Sequence, residues 1–126
     1  MVDIAKQVAY WREGAEEALG AARDLAEKHR WGFCLFLAHL ALEKLLKAHV
    51  CKQMHGLAPK IHNLNRLAEL AGLAPSPEQV NLMARMTELQ REGRYPNPLV
   101  PPPDADTARD GLRRTEELFQ WLLQTL

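Results

Sequence analysis

Residues 31–51 read WGFCLFLAHLALEKLLKAHVC, apolar for the first twelve apart from Gly32 and His39. At about 100° per residue in an α-helix, Phe33, Cys34, Leu35, Phe36 and Leu37 point in every direction around the axis. A helix apolar all round is either covered on several sides or crosses a membrane. A span needs about 20 apolar residues, and Glu43, Lys44 and Lys47 arrive too early for that. The stretch is expected to be the central buried helix of a small bundle. From Glu43 onward a polar arc opens. His39, Glu43 and Lys47 stand at i, i+4 and i+8, along one line of the helix surface, and that line is the first place to look for chemistry.

The flanking sequence supplies the cover. Ile4, Val8, Trp11, Ala15, Ala18, Ala22 and Leu25 alternate spacings of four and three, which predicts an amphipathic helix over 4–29. Its alanines allow a partner helix to approach closely. The basic run Lys28-His29-Arg30 closes it at the carbonyl end. The central helix is expected over 31–54, so the two form an antiparallel hairpin, with Gly56 as the stop signal. Asn63 caps a short helix over 64–71, which Gly72 ends. Ser76, Pro77 and Gln79 form a capping box that starts a helix running to 91, with Val80, Met83, Ala84, Met86 and Thr87 inward. Five of the eight prolines fall in 92–106, which excludes helix there. Asp106 is expected to cap a last helix over 107–125, with Ala108, Leu112, Thr115, Phe119, Leu122 and Leu126 on its seam. No strand pattern occurs. The fold class is all-α: an up-and-down bundle of four main helices plus one short helix, with a long antiparallel N-terminal pair.

With 126 residues the chain is expected to be a single domain. Sixteen basic and sixteen acidic residues cancel, so bulk charge does not steer it to nucleic acid or membrane. Cys34 and Cys51 lie about 25 Å apart on one helix by its rise and cannot pair within it. They are read as reduced and packed, in a cytoplasmic protein. No signal peptide is expected in MVDIAKQVAYW.

Five histidines raise the question of a metal. They are His29, His39, His49, His55 and His62, with no i, i+4 histidine pair and no Cys-x-x-Cys. No metal and no cofactor are expected. The single serine, Ser76, serves as a cap, and Cys34 lies in the most apolar run, where a thiolate is disfavoured. Glu43 and Lys47 make an ion pair in the favourable order, readable as structural or functional. Arg94-Tyr95 sets a guanidinium beside a phenol on proline-fixed backbone, which suits a phosphate, a nucleotide or RNA. Its alternative is a tyrosine packed on the bundle and an arginine paired with Glu43.

The segments Glu43-Lys44-Leu45-Leu46-Lys47-Ala48, Ile61-His62-Asn63-Leu64 and Arg94-Tyr95-Pro96-Asn97, in that order on this helical frame, resemble the HEPN domain family. The resemblance covers essentially the whole chain. It implies a helical bundle with a long antiparallel pair, commonly a homodimer. It also implies partnership with a minimal nucleotidyltransferase, in prokaryotic two-component systems often of toxin–antitoxin type, and nucleotide or RNA association. Many relatives are metal-independent ribonucleases with an Arg-x(4–6)-His motif. Here no histidine follows Arg94. Arg23 and His29 have the spacing but lie at the end of the first helix, away from the motif's place.

The reading is a non-catalytic HEPN protein with no catalytic residue assigned. Arg94, Tyr95, His62, Glu43 and Lys47 form a ligand-binding set for a nucleotide, an RNA segment or the partner. Two alternatives stay open. One is a divergent ribonuclease with Arg94 on phosphate and His62 as acid/base. The other is a structural adaptor in which Glu43 and Arg94 pair across the bundle.

Overall fold

The structure is a computed structural model. It describes residues 2–94 and 98–126, with Gly93 and Arg94 described for backbone only. The expected contact between the polar arc and Arg94-Tyr95 therefore lies outside the described residues.

Five helices follow one another: α1 (Ile4–Glu27), α2 (Trp31–Met54), α3 (Leu64–Leu70), α4 (Pro77–Arg94) and α5 (Ala105–Thr125). No strand occurs among the described residues. No helix among them is long and apolar enough to cross a membrane. The all-α class and the central role of α2 follow the expectation. Helices α1, α3, α4 and α5 all pack on α2, and α1 does so along most of its length. Ala15, Ala18, Leu19 and Ala22 of α1 meet Leu35, Ala38, Leu42, Leu45 and Leu46 of α2 in one core. The alanines let the axes come close, and burying apolar surface at about 25 cal/mol per Å² stabilises the pair.

Helix ends carry their own chemistry. Asp3 caps α1 by accepting from the Lys6 amide at 3.2 Å. The helix stops at Glu27, two residues before the expected end. The Arg30 amide donates to the Leu25 carbonyl at 2.8 Å and the His29 amide to that of Ala26 at 3.1 Å. This pair of bonds closes a helix on a left-handed residue, here His29 at φ 58°. His55, not Gly56, takes the left-handed position after α2, at φ 53°. Asn63 caps α3 and Gly72, at φ 70°, ends it. The capping box of α4 forms in both directions: the Ser76 amide donates to Gln79 Oε1 at 2.8 Å, and the Gln79 amide to Ser76 Oγ at 3.2 Å.

Two expectations on the last helices are corrected. In α4 the buried residues are Met83, Met86 and Gln90, while Val80 and Ala84 are exposed. The helix packs chiefly on α2 and only slightly on α5, so its inner stripe is narrow and turned away from Val80. Helix α5 is capped by Asp104 rather than Asp106, with Oδ1 accepting from the Thr107 amide at 2.7 Å. The helix extends upstream as far as the prolines allow, because each added residue gains a bond. The seam of α5 stands as expected, with Leu118 added.

Candidate functional site

The polar line of α2 is buried rather than on the surface. His39, Glu43 and Lys47 are 1%, 5% and 6% exposed. An unpaired charge at that depth would cost several kcal/mol, so the partners of each group matter. Lys47 Nζ donates to Glu43 Oε2 at 3.1 Å. His62 Nδ1 donates to Glu43 Oε1 at 3.0 Å. His39 Nδ1 lies 3.8 Å from the same oxygen. Both carboxylate oxygens are therefore engaged, and the i, i+4 spacing of Glu43 and Lys47 makes the pair possible within one helix.

His62 is the outlet of this cluster. It sits in the segment before α3, its side chain 48% exposed. Its backbone oxygen accepts from His39 Nε2 at 3.2 Å, so α2 fixes the segment at two points. Donation from Nδ1 to Glu43 puts the proton on that nitrogen in the neutral ring and leaves Nε2 as the lone-pair side. The arrangement is a carboxylate-oriented imidazole at the mouth of a buried ion pair. It can bind an anion when protonated, or move a proton at Nε2 when neutral.

Trp11 closes the other side. The Lys47 ammonium lies over its ring, 5.3 Å from the centroid, a contact that attracts a cation to the ring face. Trp11 is a seam residue of α1, so its periodicity reads as core and gives no sign of this second contact. Beside it Lys44 crosses α1 at Gly14, where a Cβ would meet Lys44 Cδ at 3.2 Å. Glycine there makes room for the lysine stem.

The HEPN domain model matches residues 8–126. The chain belongs to the HEPN domain family. An archaeal HEPN homologue of known crystal structure has the same fold. The TM-score is 0.71 at 18% identity, over 94% of this chain and 96% of that one. At this identity the likeness speaks for the fold. No curated protein matches the sequence.

Of the five site residues expected in this HEPN chain, Glu43, Lys47 and His62 come together in one bonded cluster. The Arg94 side chain and Tyr95 lie outside the described residues. Sequence reasoning left His39 and Trp11 out of the set. His39 was legible as the i−4 neighbour of Glu43. Among the described residues no group of three or more His, Cys, Asp or Glu side chains is placed to hold a metal ion. Cys34 and Cys51 are buried free thiols, and burial pushes both pKa values up. Burial thus favours the neutral thiol at both positions over the thiolate that nucleophilic attack requires.

Proposed function

We propose that this HEPN protein is a single-domain, non-catalytic binder of a phosphate-bearing nucleotide or RNA segment. It works in the cytoplasm as a homodimer with a minimal nucleotidyltransferase partner, within a two-component, toxin–antitoxin-like system. One observation carries the binding reading: the buried Glu43–Lys47 pair reaches solvent through His62, whose imidazole is held at 3.0 Å by Glu43. When protonated, an imidazole held in place by Glu43 offers its Nε2–H to an anionic ligand with little ordering cost. Arg94 and Tyr95 are the proposed phosphate and ring contacts at the end of α4. Phe33, 70% exposed on the first turn of α2, supports a contact between copies at that end.

Thermal unfolding with AMP, ATP and short RNA tests the binding role. A ligand at 100 times its dissociation constant adds about 2.7 kcal/mol of stability. His62→Ala and Arg94→Ala should each abolish that gain. Absence of any ligand shift, together with failure to co-purify a nucleotidyltransferase, sinks the reading.

A second reading, a divergent metal-independent ribonuclease, is favoured by the same orientation of His62. Carboxylate-held imidazoles serve as acid/base groups. RNA cleavage in chelator that disappears in His62→Ala would replace the non-catalytic reading with this one. The third possibility, a structural adaptor, is met by ligand-independent behaviour of every variant.

A further inference from the structure

We infer that the groove between α4 and α5 is a docking site for an amphipathic helix of a partner protein, one that presents a cation and an anion two turns apart beside its apolar stripe. The inference stands apart from the polar line of α2 and uses none of its residues.

Helices α4 and α5 both pack on α2 but only slightly on each other. The gap between them holds two adjoining cavities of about 510 and 410 Å³, which share Glu78, Leu82 and Arg114. Ser76 lines the same cavity as Leu118, and Met86 the same one as Thr107, so the two helices run antiparallel along the groove. From Thr107 to Leu118 it extends about 16 Å by helical rise, the length of three turns. Leu82, Met86 and Leu118 give it an apolar floor, with Met86 and Leu118 buried and Leu82 half-buried.

The rim decides the occupant. On α5 the charges hold one another. Arg113 donates to Asp110 and to Glu117, each at 2.8 Å, and Arg114 Nε lies 3.0 Å from the other oxygen of Asp110. Gln79 is committed to the Ser76 amide. Such a lining has few free groups for an extended peptide, whose amides and carbonyls would go unpaired over the apolar floor. A helix pairs its own backbone and brings an apolar stripe to the groove. Two lining charges, Glu78 and Arg85, form no ion pair among the described residues. They stand seven residues apart on one flank of α4, about 10 Å by helical rise. A docking helix with a lysine and a glutamate at the same interval answers both signs. A nucleic-acid strand does not, because its phosphates carry one sign only and meet Glu78, Asp110 and Glu117.

Fluorescence anisotropy of two labelled peptides titrated with the full chain tests this. Both are capped, alanine-based and about 15 residues long, enough to hold a helix, with leucines at i, i+3, i+4 and i+7. Beside that stripe one carries lysine and glutamate seven residues apart, and the other lysine at both places. The wild type should bind the first about fivefold tighter, the scale of one exposed ion pair exchanged for a repulsion. Arg85→Glu gives the groove two acids and should invert the preference. Asn81→Trp, at an exposed position of the lining, fills the groove and should abolish binding of both peptides. Circular dichroism and light scattering on each variant follow fold and oligomeric state. Equal affinity of the wild type for the two peptides, or a preference that Arg85→Glu leaves in place, overturns the charge-matched helix. So does the absence of binding up to about 1 mM peptide, or binding that a folded Asn81→Trp variant retains. A wild-type oligomer that Asn81→Trp takes apart overturns the partner assignment and gives the groove to a second copy.

Discussion

Lys47→Met removes the ammonium of the buried pair and keeps the volume of its stem. In the native chain Nζ lies 3.1 Å from Glu43 Oε2, with side-chain exposures of 7% and 6%. Among the described residues, the variant takes away the Oε2 contact and keeps that of His62 on Oε1. Breaking a buried pair by removing one partner costs about 3–5 kcal/mol. His62 still donates to Oε1 and is itself half in water, which places the expectation near the low end, about 3 kcal/mol. Unfolding entropy of roughly 2.1 cal/mol/K per residue turns that into a fall in midpoint of about 11 °C for a chain of this size. The double variant Glu43→Leu/Lys47→Met removes both charges and should regain most of the loss, because apolar replacements of buried pairs are commonly neutral. Urea unfolding followed by far-ultraviolet circular dichroism is the assay, since Trp11 fluorescence responds directly to the loss of Lys47. A single variant within about 0.5 kcal/mol of wild type, the range of ordinary surface substitutions, refutes the argument. So does a double variant as unstable as the two singles added together.

Four further outcomes follow from local contacts. Gly20→Ala should stabilise α1 by about 1 kcal/mol, because no atom lies within 4 Å of the new Cβ. Gly111→Ala should gain nothing in the same melting experiment, because its Cβ would stand 3.0 Å from Cδ2 of the buried Leu35. Asp104→Ala should lower the midpoint and Asp106→Ala should leave it in place. Backbone and side-chain hydrogen bonds from Thr107 hold the Asp104 carboxyl below its usual pKa. The Asp104 contribution is therefore present above the unfolded value and lost as pH falls through the lowered one. Burial similarly pushes His49 below the ordinary histidine value, against the bond to the Leu122 carbonyl and aided by nearby Lys52. Folding thus favours its neutral ring. That stability is complete above about pH 6.5 and drains away as pH falls through the folded value. Midpoints measured from neutral to mildly acidic pH should decline, and a His49→Gln variant showing the same slope would assign it elsewhere.

The frame of the bundle was legible because its signals are local. Alanine seams, the Ser76–Gln79 box and the Asn63 cap each depend on residues within one or two turns, and each forms as expected. The errors arise where two local answers are equally good. Asp104 and Asp106 are both sound caps, and the choice between them turned on how far helix could extend toward the prolines. His29 and His55 take left-handed positions that composition assigns to glycine. In α4 the apolar residues leave two stripes open, and packing on α2 selects Met83 and Met86. The site was half legible. The spacing of Glu43 and Lys47 gave their pairing but not their depth, which depends on four other helices.

That depth also changes what α2 says about assembly. A helix apolar all round could also be covered in part by a second copy, in line with the homodimer that the family resemblance implies. Four helices of the same chain pack on α2, and Leu35, Leu42, Leu45 and Leu46 are nearly or fully buried within that single chain. The uncovered part shrinks to the N-terminal half of the helix, where Phe33 stays 70% exposed and Phe36, Leu37 and Leu40 are partly buried. An argument for a homodimer can therefore draw on that end of α2 but not on the helix as a whole. Phe33→Glu should split a dimer built there without disturbing the Glu43–Lys47–His62 cluster, which lies at least two turns further along. A dimer unaffected by that change, measured by light scattering, would place the contact on another face.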